Sequence, residues 1–403
     1  MNIKPIITDF DDQDVYKFFM QYAVFKKYPE AQVEYELILR EDIIFPKGFA
    51  KQLKKQVSSF KRLKFTKEIE EHLLRKLPWF DYTYIHFLRA YQYDPTEVMI
   101  TQIGGKLQIK IRGFWTKTIL WEVQLMACIS ELYSIMMGIP DFININVPRW
   151  EIKFQKFAEL DIKVSEFGTR RRKSKAVQEE AIRTFLRVAP QVITGTSNLM
   201  FARKFDIKAH GTQAHEWYMF HAAKYGVQMA NRMGFGRWVD VYHGALGTAL
   251  SDTYTTDVFY RDFDLFYSKL FDGVRQDSGD PIAFAEKTIS HYLGMNIVLP
   301  QGLIPKTIIF SDSIDSLEKL DAIESTVRKR ILSGYGIGTW ITFDIVDDTG
   351  KKIKHINMVI KMVAAMPDEK IGWRKCVKLS DSNGKHTGDL NTVVLYQNEL
   401  GIN

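Results

Sequence analysis

The sequence of 403 residues predicts an α/β protein, an irregular (β/α) barrel with an α+β domain in front of it. Three features carry this. From about Leu160 onward, seven short apolar runs each end in a polar or glycine-rich loop and then a helical segment. Before that point, Gln32 to Arg40 and Lys106 to Arg112 alternate apolar and polar residues, as strands with one wet face do. The alternation returns at Ile356 to Val363 and Trp373 to Leu379. The expected division is therefore 1–140 for the α+β domain and 141–344 for the barrel, with 345–403 folding back onto the first domain.

Taken in order, Asp12 to Lys27 places Val15, Phe18, Phe19, Tyr22 and Phe25 at helical spacing. Residues 41–93 read as mostly helical. Thr118 to Ile139 is the most apolar long segment, but Glu122 and Glu131 interrupt it, so it reads as a buried helix and not a membrane span. The seven runs are Ile162 to Val164, Gln191 to Thr194, Phe205 to Lys208, Ala245 to Leu250, Phe271 to Val274, Thr307 to Phe310 and Ile331 to Ser333. Strands that alternate with helices call for a parallel sheet. Seven loops on the strand-to-helix side converge on one face only if that sheet curls into a barrel, whereas an open doubly wound sheet gathers ligands only at its switch point.

Composition narrows the function classes. A hydrophobic share of 46% with 26% charged residues is that of an ordered globular protein. The net charge of +7 and isoelectric point near 9.0 favour an anionic partner, although a solvated surface surplus is the commoner meaning. Cys128 and Cys376 stand far apart, which excludes a disulfide framework and a ligand-spaced metal pair. The first nine residues lack the layout of a signal peptide, and the expected location is cytoplasmic.

The chemistry sits in the loops. Ala209 to Trp217 crowds His210, Gly211, Thr212, His215 and Glu216 between a strand and a helix. In Gly336 to Thr339 the backbone amides of Gly336, Gly338 and Thr339 can approach a phosphate closely, at the place where barrels bind one; a plain tight turn gives the same string. Arg275, Asp277 and Asp280 put both signs within six residues: arginine suits a carboxylate or phosphate, and the aspartates suit ribose hydroxyls or Mg²⁺ waters. The rival is a turn in which an aspartate caps the next helix. Arg170 to Lys175 is the sharpest basic cluster, beside Phe167, whose ring could face a flat ligand.

Read together, these loops resemble the nicotinate phosphoribosyltransferase family. The resemblance rests on Asp-Val-Tyr-Lys at Asp14, Glu-Phe-Gly-Thr-Arg-Arg-Arg at Glu166, Gly-Thr-Ser-Asn at Gly195 and Gly-Thr-Gln-Ala-His-Glu-Trp at Gly211. It continues with Arg-Gln-Asp-Ser-Gly-Asp-Pro at Arg275, Phe-Ser-Asp at Phe310 and Gly-Ile-Gly-Thr at Gly336, all in family order. It implies a type II phosphoribosyltransferase fold and a homodimer with shared active sites. The implied reaction joins nicotinate to 5-phosphoribosyl 1-diphosphate, giving nicotinate mononucleotide and pyrophosphate, with Mg²⁺ and with ATP hydrolysis coupled to it.

Carried over residue by residue, the resemblance makes His215 the histidine that ATP phosphorylates, with Glu216 orienting it. Phe167 and, from a partner subunit, Tyr16 would sandwich the pyridine, while Arg170 and Arg275 meet its carboxylate and the diphosphate. Asp277 and Asp312 would hold ribose hydroxyls, and Gly336, Gly338 and Thr339 the 5-phosphate. Apart from the resemblance, the carboxylate in its Gly-Asp-Pro turn makes Asp280 the candidate for a magnesium water. Ser197 stands where relatives that use nicotinamide have an aspartate; a hydroxyl can donate to nicotinate's carboxylate, where a second carboxylate would repel it. Trp340 departs from the pattern and is expected at the rim of the phosphate pocket.

Three other readings compete: use of nicotinamide, a barrel metal hydrolase with His210, His215 and His243 as ligands, and a nucleic-acid-binding protein using the Arg170 to Lys175 cluster. Acidic residues interspersed along the chain speak against the last.

Overall fold

In the computed structural model, residues 3–382 and 386–402 are described. Among these residues twelve strands form two sheets. Three lie before the barrel: β1 (Gln32–Leu39), β2 (Val98–Ile103) and β3 (Lys106–Phe114). The next seven match the seven apolar runs: β4 (Val164–Glu166), β5 (Ile193–Thr196), β6 (Lys208–Ala209), β7 (Thr248–Leu250), β8 (Gly273–Gln276), β9 (Ile304–Phe310) and β10 (Ile331–Ile337). β11 (Met358–Met366) and the two-residue β12 (Arg374–Lys375) follow.

The seven barrel strands run parallel in the order β6-β5-β4-β10-β9-β8-β7. Among the described strands β6 and β7 are not paired, so the barrel is incomplete. The histidine loop spans the gap: Thr212 Oγ1 donates to the Thr248 carbonyl at 3.0 Å and the Leu250 amide reaches Gln213 Oε1 at 3.4 Å. The short strands suit a tightly curled sheet, because each needs only two to seven residues before its loop turns out to a helix.

The second sheet is antiparallel, in the order β12-β11-β1-β3-β2. β11 pairs with β1 along its length, from Gln32 against Met366 to Leu39 against Met358. A strand from late in the chain is thus an interior strand of a sheet begun near its start. Trp121–Met136 is a helix whose side chains are nearly all buried, including Trp121, Leu125, Met126, Ile129 and Leu132, as the apolar run with two glutamates predicts. Its stretch with the preceding turn, Trp115–Met136, is long and apolar enough to cross a bilayer, but it is core here.

What positions the site is the start of the chain. The Val15 amide donates to the Ser197 carbonyl at 2.7 Å, and the Leu199 and Met200 amides donate to Gln13 and Asp11, both at 2.8 Å. Residues 11–15 are thereby laced to the loop after β5, and the helix Tyr16–Lys27 begins at the carboxyl edge of the barrel.

Candidate active site

One pocket lies where the carboxyl ends of β4, β5, β6 and β8 face β11. Phe167, Arg170, Ser197, His210, His215, Arg275 and Asp277 line it from the barrel, Asp14, Tyr16 and Glu122 from the first domain, and Ile360, Lys361 and Met362 from β11. Two glycines seat its aromatic rings. A Cβ on Gly336 would stand 2.5 Å from the Phe167 ring, and one on Gly211 would stand 2.8 Å from Tyr16 Cβ and 2.9 Å from its backbone nitrogen. Tyr16 was expected from a partner subunit; the structure brings Tyr16 of the same chain to the pocket.

His215 opens the helix His215–Tyr225 and is buried. Its Nδ1 is 3.0 Å from Thr253 Oγ1 and its Nε2 is 3.0 Å from Asp277 Oδ2 and 3.8 Å from Asp252 Oδ1. Lys378 Nζ, from the chain's final segment, is 3.1 Å from the same Nε2 and donates to Asp252 Oδ2 at 2.7 Å. Burial, and then the Lys378 charge, push the imidazole down to about 4, so at neutral pH it is the free base. Burial acts to raise Asp277, but Arg275, with NH2 at 2.9 Å from Oδ1, and the bond to His215 outweigh it and hold the carboxyl well below the usual range. Ser311 Oγ also donates to Asp277, at 2.9 Å, and accepts from Arg275 Nε at 3.0 Å.

Glu216 does not orient His215. Successive helix residues point about 100° apart, and Glu216 turns to Lys17, whose Nζ lies 2.9 Å from it and 2.5 Å from Glu122. The orienting groups are Asp277 and Thr253 instead. Asp280 is the cap of the helix Pro281–Gly294, accepting from the Ala283 amide at 2.7 Å, so the rival reading of that turn holds and the magnesium role has no support there. The group with metal-ligand spacing among the described residues is His215, Asp252 and Asp277, and Lys378 already supplies a cation to it.

Ser197 Oγ donates to Asp14 Oδ1 at 2.7 Å, so its proton is committed and a carboxyl does stand beside it. Burial raises Asp14 above its ordinary range, against the pull of Arg170. Arg170 lies 3.9 Å from Asp14 and 3.8 Å from Glu122. Asp312, Gly336, Gly338 and Thr339 are at or beyond the ends of β9 and β10, on the same edge but outside the pocket lining. The helix after Gly338 is only Thr339–Thr342, so the backbone amides there are backed by no long helix. Trp340 packs edge-on against Phe157 at 5.2 Å and under Lys153, which places it on the outer helix layer.

The competing metal triad does not assemble. His243 is exposed at the end of the helix Ala230–Tyr242, and His210 Nδ1 is bonded to Ser165 Oγ at 2.6 Å. The basic cluster is not a nucleic-acid face either. Arg172 is buried in a two-pronged pair with Asp12 at 2.6 and 2.7 Å, Lys173 is held by Asp141 at 3.2 Å, and Lys175 by Asp9 at 2.5 Å.

The nicotinate phosphoribosyltransferase (NAPRTase) family model matches residues 162–403, and the model for the N-terminal domain of that family matches 12–130. The chain belongs to this family. A nicotinate phosphoribosyltransferase of Desulforapulum autotrophicum is 43% identical over 385 residues, 94% of this chain and 95% of the relative. One of Chromohalobacter salexigens is 42% identical over 394 residues, 97% of each. Among solved structures, the nicotinate phosphoribosyltransferase of Porphyromonas gingivalis superposes with a TM-score of 0.93 at 37% identity, covering 98% of this chain and all of that one. That of Vibrio cholerae gives 0.90 at 31%, covering 99% and 95%.

Lys361 and Lys378 were missed from sequence. Burial pushes Lys361 down to about 8, against the attraction of Glu122. Their signal was faint: a lysine inside an apolar run, Met-Val-Ile-Lys-Met-Val, and one within Cys-Val-Lys-Leu.

Proposed function

We propose that this enzyme joins nicotinate to 5-phosphoribosyl 1-diphosphate, releasing nicotinate mononucleotide and pyrophosphate, and that ATP is hydrolysed alongside through a phosphohistidine at His215. The observation that carries the coupling is a buried imidazole at the barrel's carboxyl edge, 3.0 Å from Asp277 and in one pocket with the two aromatic rings, where burial and the Lys378 charge favour its neutral form. A neutral ring nitrogen keeps a lone pair, which a phosphoacceptor needs. The substrates follow from the family, and the family is ATP-dependent in general.

The chemistry rests on positioning and charge. Phe167 and Tyr16 hold the pyridine ring, and Arg170 and Lys361 face its carboxylate. The ring nitrogen forms a bond to C1 of the ribose as the bond from C1 to the diphosphate oxygen breaks, and the electron pair leaves with pyrophosphate. Arg275 takes up charge on that leaving group. Asp277 and Asp312, beyond β8 and β9, are the candidates for the ribose, and Gly336 to Thr339 for the 5-phosphate. The group His215, Asp252 and Asp277 does not fit a resident Mg²⁺, since Asp252 and Asp277 are already matched by Lys378 and Arg275. Two free, buried cysteines suit the cytoplasm, and the same reading has the chain work as a homodimer.

A second reading, nicotinamide as substrate, draws on Asp14: a carboxylate beside Ser197 can accept from an amide. Pyrophosphate release from protein given 5-phosphoribosyl 1-diphosphate and Mg²⁺, with nicotinate, nicotinamide or neither, each with and without ATP, separates them. Release that needs nicotinate and rises with ATP is expected. Release with nicotinamide alone favours the second reading, and none under any condition overturns both.

A further inference from the structure

His215 Nε2 lies 3.0 Å from the half-buried carboxylate of Asp277 and 3.8 Å from the buried one of Asp252. Such a histidine ordinarily binds a proton, because each anion favours the imidazolium. A protonated ring has no lone pair, donates from both nitrogens, and is no nucleophile. Burial counters the two acids first, and the geometry shows a second counterweight. Lys378 Nζ sits between His215 and Asp252, 3.1 Å from Nε2 and 2.7 Å from Asp252 Oδ2. It is delivered by a strap tied down at several points. The Lys378 backbone exchanges hydrogen bonds with Thr387 at 3.0 and 2.9 Å, the Leu379 amide donates to the Thr253 carbonyl at 2.9 Å, and Ser380 Oγ donates to Ser278 Oγ at 3.1 Å. Ser278 in turn donates to Asp252 Oδ2 at 2.6 Å.

We propose that Lys378 is a positioning residue that keeps His215 an unprotonated nucleophile by standing between it and Asp252. The inference rests on the reading of His215 as phosphoacceptor. In that step the ring lone pair forms the bond to the γ-phosphorus of ATP. The bond from that phosphorus to the bridging oxygen breaks, and its electron pair leaves with ADP. The charged groups facing the ring are Asp252 after β7, Asp277 after β8, Lys378 on the strap and Lys361 on β11; Glu216, on its own helix, is taken up by Lys17.

The test uses the full-length protein and two variants, Lys378→Met and Lys378→Arg, with two readouts. The first is the titration of the His215 ring followed by NMR, assigned by comparison with His215→Asn. The second is acid-labile phosphate taken up from γ-labelled ATP between pH 6 and 9. In Lys378→Met the His215 titration moves up by a unit or more, and phosphate uptake falls at least tenfold at pH 7 but recovers toward pH 9. Lys378→Arg keeps the cation and stays near the parent on both. A purely structural role would lower uptake equally at every pH and leave the titration in place, and that result overturns the proposal. If the parent protein takes up no phosphate at any pH, the phosphoacceptor reading fails and the proposal with it. If the parent is labelled and the methionine variant matches it in both readouts, only the proposal fails.

Discussion

The two walls of the pocket differ in what they supply. The barrel wall carries the reactive centre and its acids: His215, Asp252 and Asp277, with Arg275 tied to Asp277. The facing wall, made by β11 and the strap that follows, brings two lysines, Lys361 and Lys378, between apolar neighbours. Neither is electrically balanced alone. Two carboxylates around a buried imidazole favour its charged form, and two lysines without the acids would be costly to bury. The ionisation state of the centre is therefore set only when the last part of the chain lies back over the barrel, which the β1–β11 pairing ensures.

The largest expected effect comes from the barrel wall. His215→Asn removes ATP stimulation of pyrophosphate release entirely while leaving some ATP-independent turnover, since the diphosphate substrate is itself activated; full stimulation in that variant means the role is misassigned. Arg275→Met next removes a cation from the leaving-group side and takes the arginine partner from Asp277, and initial rates should show kcat/KM lower by about 10² to 10³.

A pH test compares the walls through stability. The folded His215 has its pKa near 4 against 6.5 when unfolded, so the unfolded chain binds the extra proton between those values. Its contribution is fully present above pH 6.5 and is lost as pH falls toward 4, by an amount on the order of a few kcal/mol. His210 and His221, pushed down to about 4 and about 3 by burial, act in the same direction. Urea unfolding of the parent should show lower stability at pH 5 than at pH 7, with a smaller difference in His215→Asn. An equal difference in both would mean that the His215 pKa is the same folded and unfolded, and a larger difference in His215→Asn that the folded protein holds it charged.

The smallest effect is expected from Lys361. Lys361→Met should raise the KM for nicotinate about tenfold, some 1.4 kcal/mol, with less change in kcat. An unchanged KM would leave Lys378 as the sole contribution of that wall.

The barrel wall was legible because its chemistry is local. Each strand is an apolar run and each active loop follows within a few residues, so all seven strands and the His215, Arg275 and Asp277 positions could be placed from spacing. The facing wall was not. Lys361 sits in an alternating strand, where a lysine reads as the solvent side, and only pairing with a strand more than 300 residues earlier turns it inward. β2 carried too short an alternation to stand out, and β12 shrank to Arg374–Lys375 because the strand-like stretch around it becomes the strap. Glu216 misled because adjacency in sequence is not adjacency on a helix.

The most direct test of the account is to incubate the protein with γ-labelled ATP, locate the label by peptide mass, and then add nicotinate and 5-phosphoribosyl 1-diphosphate. Acid-labile label on His215 that is released as nicotinate mononucleotide forms is the predicted result. ATP-stimulated synthesis with the label on another residue, or with none, would contradict it.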